Sequence, residues 1–200
     1  GHLDRFALEM DIINRCFSDL LTSDPIPPTS RLPFSKDEIK KVWDHQKEPW
    51  VDTVLILLYS GWRISELLNL KPEDINLQAG TMKGGTKTKA GKDRVVPIHS
   101  KIRPLVEARL AEGGPRLISY NGRVCNQTQY RIFWADIMKA LKMKHTPHEC
   151  RHTFETQLDS AGANRKCIDL LMGHVSKDTG NRVYNHKTLD ELKATVELIK

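Results

Sequence analysis

Between Thr146 and Tyr184 the chain carries Thr-Pro-His-Glu-Cys-Arg-His, then Leu-Leu-Met-Gly-His ending at His174, then a tyrosine at position 184. His148 and Arg151 stand three apart, so on a helix they share one face and can reach a single anion together. A guanidinium has no acceptor, and its fork of donors fits phosphate or carboxylate oxygens. His174 follows Gly173, the residue type that ends helices, and adds an imidazole. Tyr184 adds a phenol able to serve as an oxygen nucleophile. These residue types make a phosphate clamp with a nucleophile beside it.

The same letters admit a second chemistry. His148-Glu149-Cys150-Arg151-His152 has the form H-E-x-x-H, in which two histidines one turn apart bind zinc and the glutamate acts as base. Such a short match is common by chance. A zinc enzyme also needs a third ligand and a site able to hold a dication, whereas here an arginine lies between the histidines. The plainest alternative is a helix N-terminus with His148 and Arg151 facing solvent.

The positions of these groups depend on the elements before them. The 200 residues are 39% hydrophobic, enough for a core. No apolar run approaches a membrane span; the longest is Val54 to Tyr59. Gly1-His2 does not begin a signal peptide, and the native N-terminus is expected upstream. Cys16, Cys125, Cys150 and Cys167 form no C-x-x-C pair and read as reduced thiols of a cytosolic, cytoplasmic protein.

Phe6, Met10, Ile13, Phe17 and Leu20 predict a helical stripe over Leu3 to Leu21, followed by a semi-rigid linker at Asp24-Pro25-Ile26-Pro27-Pro28-Thr29. Ser35-Lys36-Asp37-Glu38 is a capping box opening a helix. Another helix starts at Pro49 and stays apolar through Tyr59, with Trp43 and Trp50 in the core. Gly61 permits a turn, and Ile64, Leu67 and Leu68 begin a further helix. Arg63 therefore projects from a helix N-terminus that already favours anions, and a second phosphate-directed arginine explains it. Glu66 can buttress it; a surface Arg-Glu pair is the bland alternative.

Asp74 to Leu77, Thr81 to Lys87 and Arg94 to Ile98 predict a small antiparallel sheet with a Lys- and Gly-rich last turn. A lysine on that hairpin, Lys87 or Lys89, can swing toward a phosphate and protonate a leaving oxygen. Ser100 to Leu110 is an amphipathic helix, Asn121-Gly122 a turn, and Gln127 to Leu141 a helix with Ile132, Phe133, Ile137 and Leu141 inward. Leu189, Leu192, Val196 and Ile199 mark a last helix, whose stripe closes the core or docks on a neighbour.

The net charge is +6. From Lys83 to Arg103 the basic residues Lys83, Lys87, Lys89, Lys92, Arg94, Lys101 and Arg103 face a single acid, Asp93, the footprint of a segment following a phosphate backbone.

Taken together, Gly61-Trp62-Arg63-Ile64-Ser65-Glu66, Thr86-Lys87-Thr88 before Arg94-Val95-Val96-Pro97, His148-Glu149-Cys150-Arg151-His152, Leu171-Met172-Gly173-His174 and Val183-Tyr184 resemble the boxes of the tyrosine recombinases, the phage-integrase family, in their order and spacing. The resemblance covers about residues 33 to 200. It implies an α+β, mainly α-helical catalytic fold with a small antiparallel β-sheet packed at its edge. Residues 1–32 would be an N-terminal helix and Pro-rich linker left from the connection to a core-binding domain.

The resemblance implies DNA strand exchange without metal, ATP or a nucleotide cofactor. Arg63 and Arg151 would hold the non-bridging oxygens of the scissile phosphate, and Tyr184 would attack to give a 3′-phosphotyrosine. Lys87 would protonate the leaving 5′ oxygen, His148 would move the tyrosine proton, and His174 would hydrogen-bond the phosphate. The Thr-Lys-Thr context favours Lys87 over Lys89; Tyr59, Tyr120 and Tyr130 lie in other contexts. The implied partner is double-stranded DNA, bound by a monomer that assembles into a tetramer on synapsed sites. A type IB topoisomerase-like nicking-closing enzyme and a DNA-binding module without chemistry are the competing functions.

Overall fold

The structure is a computed structural model that describes residues 2–20, 32–85, 92–174 and 187–200. The chain forms two compact units, residues 1–30 and 31–200.

In the first unit, helix α1 (His2–Glu9) buries no residue. The apolar stripe predicted as one long helix is interrupted: Asp11 takes a left-handed φ of 53°, and a 3₁₀ turn follows at Phe17–Leu20. Ser18 donates its backbone N–H to Asp4, closing the segment on itself. The stripe residues Phe6 and Met10 are exposed. The linker predicted after it lies outside the described residues.

The second unit is built around α3 (Val51–Ser60), where Val51 and every residue from Thr53 to Ser60 are buried. Each such aliphatic side chain withdrawn from water contributes about 1.5–3 kcal/mol. The helix begins after Trp50, not at Pro49, because Trp50 is left-handed at φ 68°. That turn stacks Trp50 on Phe133 at 4.3 Å and under the Arg109 guanidinium at 4.8 Å. Trp43 and Trp50 are therefore half-buried flanks of the core, not its interior.

Around α3 pack α2 (Lys36–Asp44), α5 (Arg103–Ala111) and α7 (Pro147–Ser160). Ser35 caps α2 through the predicted capping box, accepting from the Glu38 N–H at 3.2 Å. Arg109 on α5 clamps Asp52 on α3 bidentately at 2.6 and 2.7 Å. After α3 come the short α4 (Ile64–Leu67) and a three-stranded antiparallel sheet of β1 (Ile75–Asn76), β2 (Thr81–Gly84) and β3 (Arg94–Pro97), in that order. Met82 pairs with Val96, and Gly84 pairs with Arg94 in the last described rung.

A second hairpin, β4 (Ser119–Tyr120) and β5 (Arg123–Val124), turns at Asn121-Gly122 as its sequence predicts. It leads into α6 (Gln127–Ala140), capped by Asn126. On α6 the inward face is Tyr130, Trp134, Ile137 and Met138, continued by Leu141; Ile132, predicted inward, is 60% exposed. The aromatic face 130/134 outweighs Ile132, which lies about two positions round the helix from it.

Helix α8 (Arg165–Met172) packs on α7, and α9 (Leu189–Val196) packs on α8 and β3 of its own unit. Of the two destinations open to the last helix, the chain adopts the first. Leu192, Val196 and Ile199 are buried. His99 donates from Nε2 to the Ile199 carbonyl at 2.9 Å and accepts from the Lys101 N–H at 3.0 Å. Among the described residues no helix is long and apolar enough to cross a membrane. All four cysteines are free thiols.

Candidate active site

The site forms where the C-terminal ends of α3 and α8 meet α7. Gly61 closes α3 with φ 64°, and a Cβ there would lie 2.4 Å from Phe154 of α7. Only glycine provides both the left-handed turn and this close approach. The turn brings the Gly61 carbonyl to the Arg151 guanidinium, whose Nη1 donates at 2.7 Å. Arg151 Nη2 donates to the carbonyl of Met172, the last residue of α8, and lies 3.3 Å from His174 Nε2. Helix C-terminal carbonyls lack intrahelical donors, so two orphan acceptors fix one guanidinium.

Arg151 is 3% exposed, and no ion pair joins it to a carboxylate among the described residues. Burial, then the charges of Arg63 and Arg94, push its pKa down to about 9. A cation held there at a cost gains from an anionic partner. His174 follows Gly173, which caps α8 with φ 63° as the sequence predicts. Partial desolvation, then the Arg151 charge, lower its pKa and favour the neutral ring, whose Nε2 can accept from Arg151.

Arg63 sits at the N-cap of α4 in an extended conformation. Its backbone N–H donates to Glu66 Oε2 at 3.1 Å and its Nη1 to Glu66 Oε1 at 3.0 Å. The predicted buttress is present, but it is not a surface pair: Glu66 is 2% exposed and also receives Arg94 Nη1 at 3.0 Å and Nη2 at 2.7 Å. Burial raises the Glu66 pKa, and the Arg94 hydrogen bonds and charge, then Arg63, outweigh it, leaving it below the usual carboxylate range.

Arg94 corrects the picture of a continuous phosphate-facing run. It is buried at the foot of the hairpin with its guanidinium 4.0 Å from the Trp62 ring. Arg103 is bonded to Glu107 at 2.8 Å, and Lys101 lies over Tyr59 at 5.8 Å, while Lys83 and Lys92 remain exposed. Alternation carried the missing signal, since Arg94 shares its strand face with the fully buried Val96 and Val95 points out. Trp62, to which its letters assign nothing, is fully buried and supplies the surface on which Arg94 lies.

His148 stands exposed in the first turn of α7, its ring edge-on to His152 at 4.8 Å. The structure thus brings Arg63, Glu66, Arg151 and His174 together and puts His148 one turn away from Arg151 on one helix. Lys87, Lys89 and Tyr184 lie outside the described residues. The zinc reading of His148 to His152 fails on Glu149. Its carboxylate accepts from the Thr146 N–H at 2.9 Å and pairs with His145 Nδ1 at 2.8 Å, which serves the cap of α7. Among the described residues no three His, Cys, Asp or Glu side chains converge to hold a metal ion.

A family model described as the phage integrase family matches residues 34–191. The chain belongs to the phage integrase family. Over 193 residues, 90% of its length, it is 33% identical to tyrosine recombinase XerA of Pyrococcus furiosus, covering 66% of that protein. Over 148 residues, 70% of the chain, it is 36% identical to tyrosine recombinase XerC of Pelobacter propionicus, covering 48% of it. The chain thus spans about half to two-thirds of these integrase-family relatives. A crystal structure of XerA recombinase superposes with a TM-score of 0.66 at 26% identity, over 89% of this chain and 69% of that one. The Tn1549 transposon integrase in complex with circular intermediate DNA gives a TM-score of 0.69 at 24% identity, over 95% and 73%. These integrase folds share the mainly helical architecture with a small antiparallel sheet.

Proposed function

We propose that residues 33–200 are the catalytic domain of a site-specific DNA recombinase or integrase that cuts and rejoins DNA through a covalent tyrosine link. The observation that carries this reading is Arg151, a buried guanidinium with carbonyl partners and, among the described residues, no carboxylate, beside Arg63 and His174. Such a cluster is built for an anion with several oxygens. Kinship with tyrosine recombinases, and with an integrase solved on DNA, supports a DNA phosphodiester as that anion.

In this reading Arg63 and Arg151 hold the two non-bridging oxygens and stabilise the charge of the pentacoordinate transition state. The Tyr184 oxygen attacks phosphorus, and the bond from phosphorus to the 5′ oxygen breaks. Lys87 gives that oxygen its proton, while His148 takes the phenol proton and His174 hydrogen-bonds the phosphate. A 3′-phosphotyrosine and a free 5′-hydroxyl result, and the link keeps the phosphodiester energy for attack by a partner strand. The enzyme would act on double-stranded DNA in the cytoplasm, as a tetramer on synapsed sites and a monomer when free.

The test is covalent trapping in EDTA. Wild type and Tyr184→Phe are incubated with supercoiled plasmid, or with a nicked substrate bearing the attachment site, and resolved on a denaturing gel. An adduct with wild type and none with Tyr184→Phe is the expected result. An adduct that persists in Tyr184→Phe overturns the assigned nucleophile, and loss of all reaction in EDTA overturns the metal-free chemistry.

A further inference from the structure

Arg94 belongs to none of the roles given above, yet its side chain is 4% exposed and its partner Glu66 is fully enclosed. The bonding is interleaved. Glu66 Oε1 accepts from Arg63 Nη1 and Arg94 Nη1, both at 3.0 Å. Oε2 accepts from the Arg63 backbone N–H at 3.1 Å and from Arg94 Nη2 at 2.7 Å. Each carboxylate oxygen thus holds one donor from each arginine. Arg94 alone grips both oxygens with one planar group, so it sets the plane of the carboxylate, and that plane sets where Arg63 Nη1 is held.

Arg94 is itself held by the sheet. It opens β3 opposite Gly84, and a Cβ on Gly84 would lie 2.7 Å from Leu70 and 3.4 Å from Trp62. The bare strand lets the hairpin stem lie against Trp62, and the guanidinium stacks on that ring at 4.0 Å. Its Nε is buried without a hydrogen-bond partner among the described residues, so the fork has been aimed at Glu66 at the expense of its own remaining donor. Stacking and fork are properties that lysine lacks.

We propose that Arg94 is a positioning residue that fixes Arg63 through Glu66, tying the hairpin stem to the anion-binding arginine. The proposal rests on the recombinase reading for its catalytic consequence and on geometry alone for the positioning.

The experiment uses the whole chain with Arg94→Lys and Arg94→Met. Rotation about the Arg63 Nε–Cζ bond is measured by side-chain nitrogen NMR, the signal being assigned with Arg63→Lys. Arg103, bonded to Glu107 on the α5 surface, is the internal control. In both variants Arg63 rotation should quicken by about tenfold or more, the weight of one charge-assisted hydrogen bond, with Arg103 and the backbone spectrum unchanged. Retained charge in Arg94→Lys should not restore it. In parallel, the rate of adduct formation on plasmid should fall about 10–100-fold, with DNA binding held within about threefold.

Unchanged Arg63 rotation in a folded Arg94→Lys overturns the proposal, as does full restoration by lysine. An altered backbone spectrum in both variants also overturns it, since Arg94 would then be holding the fold. A wild type that traps no adduct while Arg63 responds to Arg94 would sink the recombinase reading and leave the positioning intact.

Discussion

Replacing Glu66 by glutamine keeps the shape of the site and removes the carboxylate that joins Arg63 to Arg94. The side chain is fully enclosed and Arg94 is 4% exposed, so the variant leaves at least one guanidinium buried without countercharge. An amide oxygen can satisfy one or two of the four donors, and the amide nitrogen turns its own hydrogens toward the others. Breaking a buried ion pair from one side costs about 3–5 kcal/mol, a large share of a domain stability of about 5–15 kcal/mol. For a unit of this size that is a fall in Tm of about 6–20 °C by circular dichroism or calorimetry. The pH dependence is a second signature. The Glu66 pKa is lowered in the folded chain, so its stabilisation is complete above the ordinary carboxylate pKa and is lost as pH falls through that value toward the folded one. The wild type should therefore lose stability on that acid limb, and Glu66→Gln should lose less. A Tm change under about 3 °C at pH 7 with an unaltered acid limb would refute the view of Glu66 as a buried bridge.

Gly61→Ala should destabilise by more than about 1 kcal/mol in urea unfolding, because alanine is strained at φ 64° and its Cβ would meet Phe154 at 2.4 Å. It should also lower anion affinity, by moving the carbonyl that holds Arg151. The His99 pKa is lowered chiefly by burial, so its stabilisation is present above the ordinary histidine pKa near 6.5 and lost as pH falls below it. Protonation removes the acceptor for the Lys101 N–H, so the protection factor of the Lys101 amide should fall as pH drops below about 6.5 in wild type but not in His99→Gln. His145 pairs with Glu149 at 2.8 Å and Glu38 at 3.1 Å and stacks on Phe34 at 3.8 Å. His145→Ala should cost about 1–3 kcal/mol, read as a lower Tm.

Much of this architecture is legible in the chain because it is local. Ser35 and Glu38 meet within one turn, Gly173 ends its helix where it stands, and Asn121-Gly122 folds between adjacent strands. Errors of placement such as those at Ile132 and Arg94 arise where distant segments decide. Ile132 and Tyr130 both satisfy a helical period, and only the neighbours of α6 choose between them. Arg94 looks like one more member of a basic run; only its alternation with Val95 and Val96 signals burial, and its partner lies 28 positions earlier. The first unit shows the converse, an apolar stripe of exposed residues whose helix stops after two turns. Clustering of Arg63, Arg151 and His174 follows from the two helix ends that surround them, a relation between α3, α7 and α8 that spacing along the chain cannot express.

The two carbonyls on Arg151 bear on how such a site can be inherited. One guanidinium ties the end of α3 to the end of α8 across α7, so the arginine proposed to hold the anion is also a keystone of the architecture. Lysine, with no planar fork, could not span both arches. A descendant that abandoned the proposed chemistry could discard Tyr184 freely, yet would keep this arginine or lose its shape. Decay of such a lineage should therefore erase position 184 long before position 151.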